Sequence, residues 1–180
     1  MTTFTTFDGR TVFIRRIGED DAARLIDMFY RSSEHTQRMR FHCGSSKCPN
    51  ELVSREAAKL CRLDPECQVA LAACVNKNNE EQIVGIARLG RATSNDVVAE
   101  TGIIVQDDFQ GSGLGTHLLR QLVEVARPMG ITSFSAWVLP ENRKVLHLIK
   151  KIGTPVKQIR QHGELYLEIL LEDVKVLSKC

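Results

Sequence analysis

The feature that most constrains this chain is a junction. A β-rich apolar run, VVAETGIIV (97–105), is followed by QGSGLG (Gln110 to Gly115) and then by the helical run THLLRQLVEVA (116–126). Three glycines in five residues make a poor helix start by propensity. The following helix is sharply amphipathic: Leu114, Leu118, Leu119, Leu122, Val125, Ala126 and Met129 share one side, and Thr116, His117, Arg120, Gln121, Glu124 and Arg127 share the other. It therefore packs one face on a sheet. The start of such a helix carries N–H groups with no internal partner and the positive end of the dipole. Glycines let the chain turn sharply and let a ligand approach the backbone with no Cβ in the way. Gln110, Gly111, Ser112, Gly113, Leu114 and Gly115, with Thr116 one step inside the helix, thus form a candidate pocket for phosphate oxygens. A tight turn with no ligand is the competing reading, and it suits a lone Gly-x-Gly better than this stretch. The dinucleotide fingerprint G-x-G-x-x-G fits poorly, because this motif is G-x-G-x-G and the next strand ends in Trp137, Val138, Leu139, Pro140 with no acid.

The rest of the chain places the junction in a mixed α/β protein. RTVFIRRI (10–17) alternates as a first strand, and Gly18 to Asp21 open a helix carrying Ala22, Leu25, Ile26 and Phe29 at helical spacing. Ser32 to Asn50 is polar and aperiodic, a long excursion of the kind that shapes substrate sites. ELVSREAAKLCRL is a second helix. QVALAACV and QIVGIARLG form a hairpin across NKNNEE, VVAETGIIV is a fourth strand and ITSFSAWVL a fifth. ENRKVLHLIKKIG is a short helix with a glycine stop, and VKQIRQHG with ELYLEILL close as a hairpin. The order β-α-α-β-β-β-α-β-α-β-β predicts one mixed sheet with helices packed on it, and 180 residues with no repeat or linker predict a single domain over 1–180.

Composition excludes several classes. A net charge of +2 with 26% charged residues supports no nucleic-acid platform. No run of 18 apolar residues spans a membrane. MTTFTTFDGR lacks the basic and apolar regions of a secretory signal, so a cytoplasmic protein is expected. The six cysteines contain no CxxC pair and read as reduced thiols. His35, His42, Cys43 and Cys48 lie close together but match no common ligand template, so no metal is assigned.

QGSGLG resembles the Q/R-x-x-G-x-G/A signature of the GNAT superfamily of N-acetyltransferases. The strand order agrees, and VLPENRKVLHLIKKIG is similar to that family's strand–Asn–helix–Gly segment. DGRTVFIRRIGEDDAARL, SSEHTQRMRF and AETGIIVQDDFQGSGLGTHLL are most similar to the acetyltransferase domain of bacterial protein lysine acetyltransferases. The cyclic-nucleotide-binding and acyl-CoA-synthetase modules of some members are not seen, which implies a stand-alone catalytic domain. The resemblance implies acetyl-CoA as co-substrate, with its pantetheine arm along Ile103, Ile104 and Val105 and its diphosphate held by Gln110 to Gly115 and Thr116. Asn142 matches the family's asparagine at the next helix start, as a CoA contact or as a simple N-cap.

Acyl transfer to an amine needs a base, an oxyanion donor and a departing thiolate. Lysine's ordinary pKa of about 10.4 leaves it charged at neutral pH. A backbone N–H near Ile104 is the expected oxyanion donor. Glu100 is the only charged residue in VVAETGIIV, and alternation groups it with Val98, Gly102 and Ile104. Its counterpart in the lysine acetyltransferases is the general base; the competing reading is a solvated carboxylate. Many GNAT enzymes carry a Tyr that protonates the thiolate, and Ile149 falls at that position here. Tyr166 reads as a packing or surface residue, and His117 and His147 as solvated polar-face residues. The expected acceptor is a protein lysine, with a small amine as the alternative and a non-catalytic acetyl-CoA sensor as a rival of another class. The sequence leaves the oligomeric state open.

Overall fold

Period-two apolar patterns and tight turns lay the chain down as an eight-stranded sheet in the order β1-β2-β3-β4-β5-β6-β8-β7. The strands are β1 Thr2–Thr5, β2 Thr11–Arg16, β3 Gln68–Lys77, β4 Glu80–Gly90, β5 Val98–Val105, β6 Ser133–Val138, β7 Pro155–Gln161 and β8 Glu164–Leu170. The helices are α1 Ala22–Arg31, α2 Glu34–Phe41, α3 Asn50–Leu60, α4 Leu114–Ala126 and α5 Arg143–Ile152. The computed structural model describes residues 2–41, 49–152 and 155–171. The mixed α/β architecture expected from the sequence is the one observed.

Local chemistry sets the turns. Asn78 and Asn79 take positive φ between β3 and β4, and His162 and Gly163 do so between β7 and β8. Two successive left-handed residues give the hairpin turn whose twist matches the strands.

Helices cover both sheet faces. Leu118, Leu119 and Leu122 of α4 pack with Val69, Leu71 and Leu89 on one face. Leu25 and Met28 of α1 and Ala57 of α3 pack with Ala72, Ile86 and Ile104 on the other. The Leu114 side chain is fully buried beneath the glycine turn, so the start of α4 is pinned to the sheet by hydrocarbon. Burying a leucine contributes about 1.5–3 kcal/mol.

Two elements were not expected. β1 pairs with β2 across a turn at Gly9, and its only large apolar residue is Phe4, too little for a visible alternation. α2 occupies part of the 32–50 excursion. It is polar nearly all round, with Thr36 its one buried residue, so it has no apolar stripe to read. β1 also changes the setting of His117. The imidazole is half-buried and stacked on Phe4 at 4.3 Å rather than solvated. Burial, then the nearby Arg120, lowers its pKa.

Every strand pair is antiparallel except β5–β6. That parallel seam is short: Val98 faces Ser133, Ala99 faces Phe134 and Glu100 faces Ser135. Beyond Glu100 the two strands part. Thr101 to Val105 stay paired with β4, while Ala136 to Val138 stay paired with β8.

Candidate active site

The parting of β5 from β6 exposes a strand edge inside the sheet. Gln106 donates its N–H to the carbonyl of Val84. Alternation along an antiparallel ladder then turns the N–H of Ile104 toward β4 and those of Ile103 and Val105 toward the gap. The oxyanion donor expected near Ile104 is therefore not its own N–H, which belongs to the β4 ladder. Ile103 presents its N–H and carbonyl and Val105 its N–H, the Val105 carbonyl being taken by the Gln110 side chain. On the side-chain axis the division is different. Ile104 points to the α1–α3 face with Glu100 and Gly102, and Ile103 packs toward α4.

The glycine turn closes one end of the gap. Gly111 and Gly113 have φ of +75° and +89°, a region that side chains strain to adopt. Gly113 is the N-cap of α4 and offers no side-chain cap. Among the described residues, the N–H groups of Gly111, Gly113, Gly115 and Thr116 bond to no protein acceptor. They form a cradle of free donors at the positive end of a helix, which fits a diphosphate. Ser112 and Leu114 contribute backbone alone. The Ser112 hydroxyl is buried and donates to the carbonyl of Phe109 at 2.6 Å, and the Leu114 side chain lies in the core. The Gln110 side chain is occupied as well. Its amide nitrogen donates to the Val105 carbonyl at 2.9 Å and to Thr36 Oγ1 at 3.0 Å, and its oxygen accepts from Lys144.

A cleft of about 300 Å³ joins these parts. β5 and the glycine turn form one wall, and α2 and α5 form the other. Ile103, Ile104, Val105, Gln110, Gly111, Gly113, Gly115, Thr116 and Asn142 all line it. The charged residues on it are Arg40, Lys144 and Lys151, with His35 and His147 beside them, and no described carboxylate faces it. In a chain of net charge +2, this is a local concentration of positive potential. Lys144, His147 and Lys151 recur along one side of α5 at helical spacing. That spacing is visible in the sequence, but it looks the same as an ordinary solvated face. Asn142 acts as the N-cap, its Oδ1 accepting the Val145 N–H at 3.2 Å, and the residue also lines the cleft.

Glu100 lies outside the cleft, at the end of the parallel seam. Its side chain is 60% exposed and stands 3.6 Å from Arg88 Nη2. Ile149 is 4% exposed and packs with Ala136, Val138 and Leu167, so the position of the usual acid tyrosine holds hydrocarbon. The Tyr166 ring packs against Trp137 with centroids 5.2 Å apart and the planes tilted by 60°, and it does not line the cleft. Cys61, Cys67 and Cys74 are free thiols. Burial pushes Cys74 up to about 12, so it is an inert thiol. His42, Cys43, Cys48 and Cys180 lie outside the described residues.

The site is thus an internal sheet edge that runs on from a cradle of free donors at a helix start. Residues 30–154 match the acetyltransferase (GNAT) family, and the chain belongs to that family. It is an enzyme of the acetyltransferase class, a family that draws its acetyl group from acetyl-CoA. The chain is 30% identical over 146 residues to an acetyltransferase of Pseudomonas aeruginosa, covering 81% of this chain and 76% of that one. It superposes on the GNAT domain of Streptomyces lividans PAT with a TM-score of 0.80 and 30% identity, covering 94% and 96% of the two chains. The acetyltransferase Pat of Mycolicibacterium smegmatis is 32% identical over 71 residues, a match that spans only 21% of that protein. No helix among the described residues is long and apolar enough to cross a membrane.

Proposed function

We propose that this enzyme transfers the acetyl group of acetyl-CoA to the side-chain amine of a protein lysine. The observation that carries the reading is the cleft. Its charged lining is wholly basic, it begins at four unpaired N–H groups, and it runs along an open strand edge toward Glu100. The cradle and Lys144 and Lys151 hold the phosphates. Ile103 and Val105 receive the amides of the pantetheine arm as a partner strand would. Glu100 accepts a proton from the incoming ammonium, directly or through water, and so frees the amine lone pair. An exposed carboxylate suits an acceptor presented on another protein's surface. The hollow beneath α1 and α3 on that side is only about 50 Å³, too small to enclose a free amine substrate. The likeness to the PAT domain points the same way. We place the enzyme in the cytoplasm, where its free thiols stay reduced, and read residues 1–180 as one catalytic domain. Acetyl-CoA incubated with cell lysate and the purified enzyme should give acetyl-lysine peptides by mass spectrometry. Acetylated small amines with no acetyl-lysine would reassign the acceptor. CoA binding without any transfer would make the protein a sensor.

A further inference from the structure

Arg40 stands apart from the other charged groups of the site. It lies in the last turn of α2, and its side chain reaches across to β5. There Nη2 is 2.7 Å from the point a Cβ on Gly102 would occupy. Only a residue without a side chain at 102 admits the guanidinium so close to the strand. Arg40 borders three hollows: the basic cleft, a wedge of about 60 Å³ between β5 and β6, and the hollow beneath α1 and α3. It is half-buried, with its accessible surface facing these hollows, and its guanidinium carbon lies 5.5 Å from the centroid of the Phe41 ring. Burial, then the like charge of Arg88 on β4, lowers its pKa to about 10, while Glu100 on β5 and Glu56 on α3 oppose that shift. No described residue accepts a hydrogen bond from it or sits in a close ion pair with it. A half-buried guanidinium that faces a cleft with its donors uncommitted is available to a negative charge arriving there.

We propose that Arg40 is a catalytic residue whose guanidinium receives the negative charge that develops on the sulfur of the leaving CoA. This rests on the acetyl-CoA reading above. An arm laid from the α4 cradle along Val105 and Ile103 ends where the β5–β6 seam closes, beside Gly102. Among the described residues, Arg40 is the one cation bordering both that wedge and the cleft. With the ammonium proton already on the Glu100 carboxylate, the lone pair of the amine forms a bond to the acetyl carbon, and the second nitrogen proton leaves to solvent as the amide forms. The carbon–sulfur bond breaks, and its electron pair ends on sulfur. Ile149 has no proton to give, so the charge is met by a fixed cation. Arg40 keeps its own protons, and the thiolate takes one from solvent after release.

The test compares binding of CoA with that of desulfo-CoA, which lacks the sulfur, from pH 6.5 to 8.5, where Arg40 stays charged. The wild-type preference for CoA should rise with pH as thiolate forms beside Arg40. Arg40→Gln should bind desulfo-CoA within about threefold of wild type, lose the pH-dependent preference, and turn over about 10²–10³-fold more slowly, the range for a lost charge-stabilising donor. Arg40→Lys should restore part of both. If Arg40→Gln fails to fold, Gly102→Ala decides, since its Cβ displaces the guanidinium without removing it. An unchanged CoA preference across the pH range, or turnover within threefold of wild type, overturns the proposal. Wild-type protein that binds neither ligand overturns the acetyl-CoA reading itself.

Discussion

Glu100 makes its ion pair with Arg88 at 3.6 Å on an open surface. Pairs of this kind contribute about 0–1 kcal/mol, so removing the charge leaves the fold standing. Glu100→Gln is therefore a clean probe of proton transfer. Turnover should fall by about 10²–10⁴, the usual range for a general base, while acetyl-CoA binding survives. The deficit should shrink as pH rises toward the amine's own pKa of about 10.4, because more acceptor then arrives deprotonated. Near-wild-type turnover at pH 7 would make Glu100 a solvated carboxylate. Loss of acetyl-CoA binding together with turnover would make it a support for β5.

At the scale of elements, α2 is held by its contacts rather than by its pattern. Asp107, just after β5, accepts the Ser33 N–H at 2.7 Å, the Ser33 hydroxyl at 2.7 Å and the Thr36 hydroxyl at 2.8 Å. Burial raises the Asp107 pKa, but these donors outweigh it and hold the carboxyl below its ordinary value. Asp107 thus caps α2 from 74 residues away and ties it to the glycine turn through Thr36 and Gln110. Asp107→Ala should cost about 0.5–2 kcal/mol, as loss of an N-cap does. Hydrogen-exchange protection should fall across 34–41 while α4 keeps its own, and KM for acetyl-CoA should rise. Equal loss in α2 and α4 would show that the cap supports the whole domain instead. The same residues explain what could be read from the sequence. The strand–glycine–helix junction was legible because its apolar period, its turn chemistry and its free donors all lie within one local stretch. Asn142 was legible for the same reason. α2 was not, because its cap comes from a distant residue. β1 was hidden by having a single large apolar side chain. Arg40 sits in a polar, aperiodic stretch, and its approach to Gly102 exists only once α2 is folded over β5.

For the whole molecule, the cleft draws its walls from both sides of the seam, so a ligand seated there should stabilise the native state. At a hundredfold excess over Kd the gain is about 2.7 kcal/mol, which for a domain of this size raises Tm by roughly 5–10 °C. NAD should give no shift. Gly113→Glu would test the cradle poorly. Its φ of +89° strains any side chain, and the Phe7 ring stands 2.8 Å from the new Cβ. Thr116→Glu places a negative charge at the same cradle without that strain. It should abolish the acetyl-CoA shift while leaving the ligand-free Tm within a few degrees. A full shift in that variant would move the phosphates elsewhere. The short seam has one more consequence. A sheet edge normally invites any passing strand, and proteins spend charges and prolines to discourage it. Here the edge is inside the sheet, with β6 and α5 standing opposite. A strand entering there meets side chains of β6 and α5 as well as the free backbone groups of β5. The proposed arm, with amides spaced by methylenes, would use those backbone groups with little side-chain bulk to place, so the same seam that leaves the edge open would set how thick a ligand can lie along it.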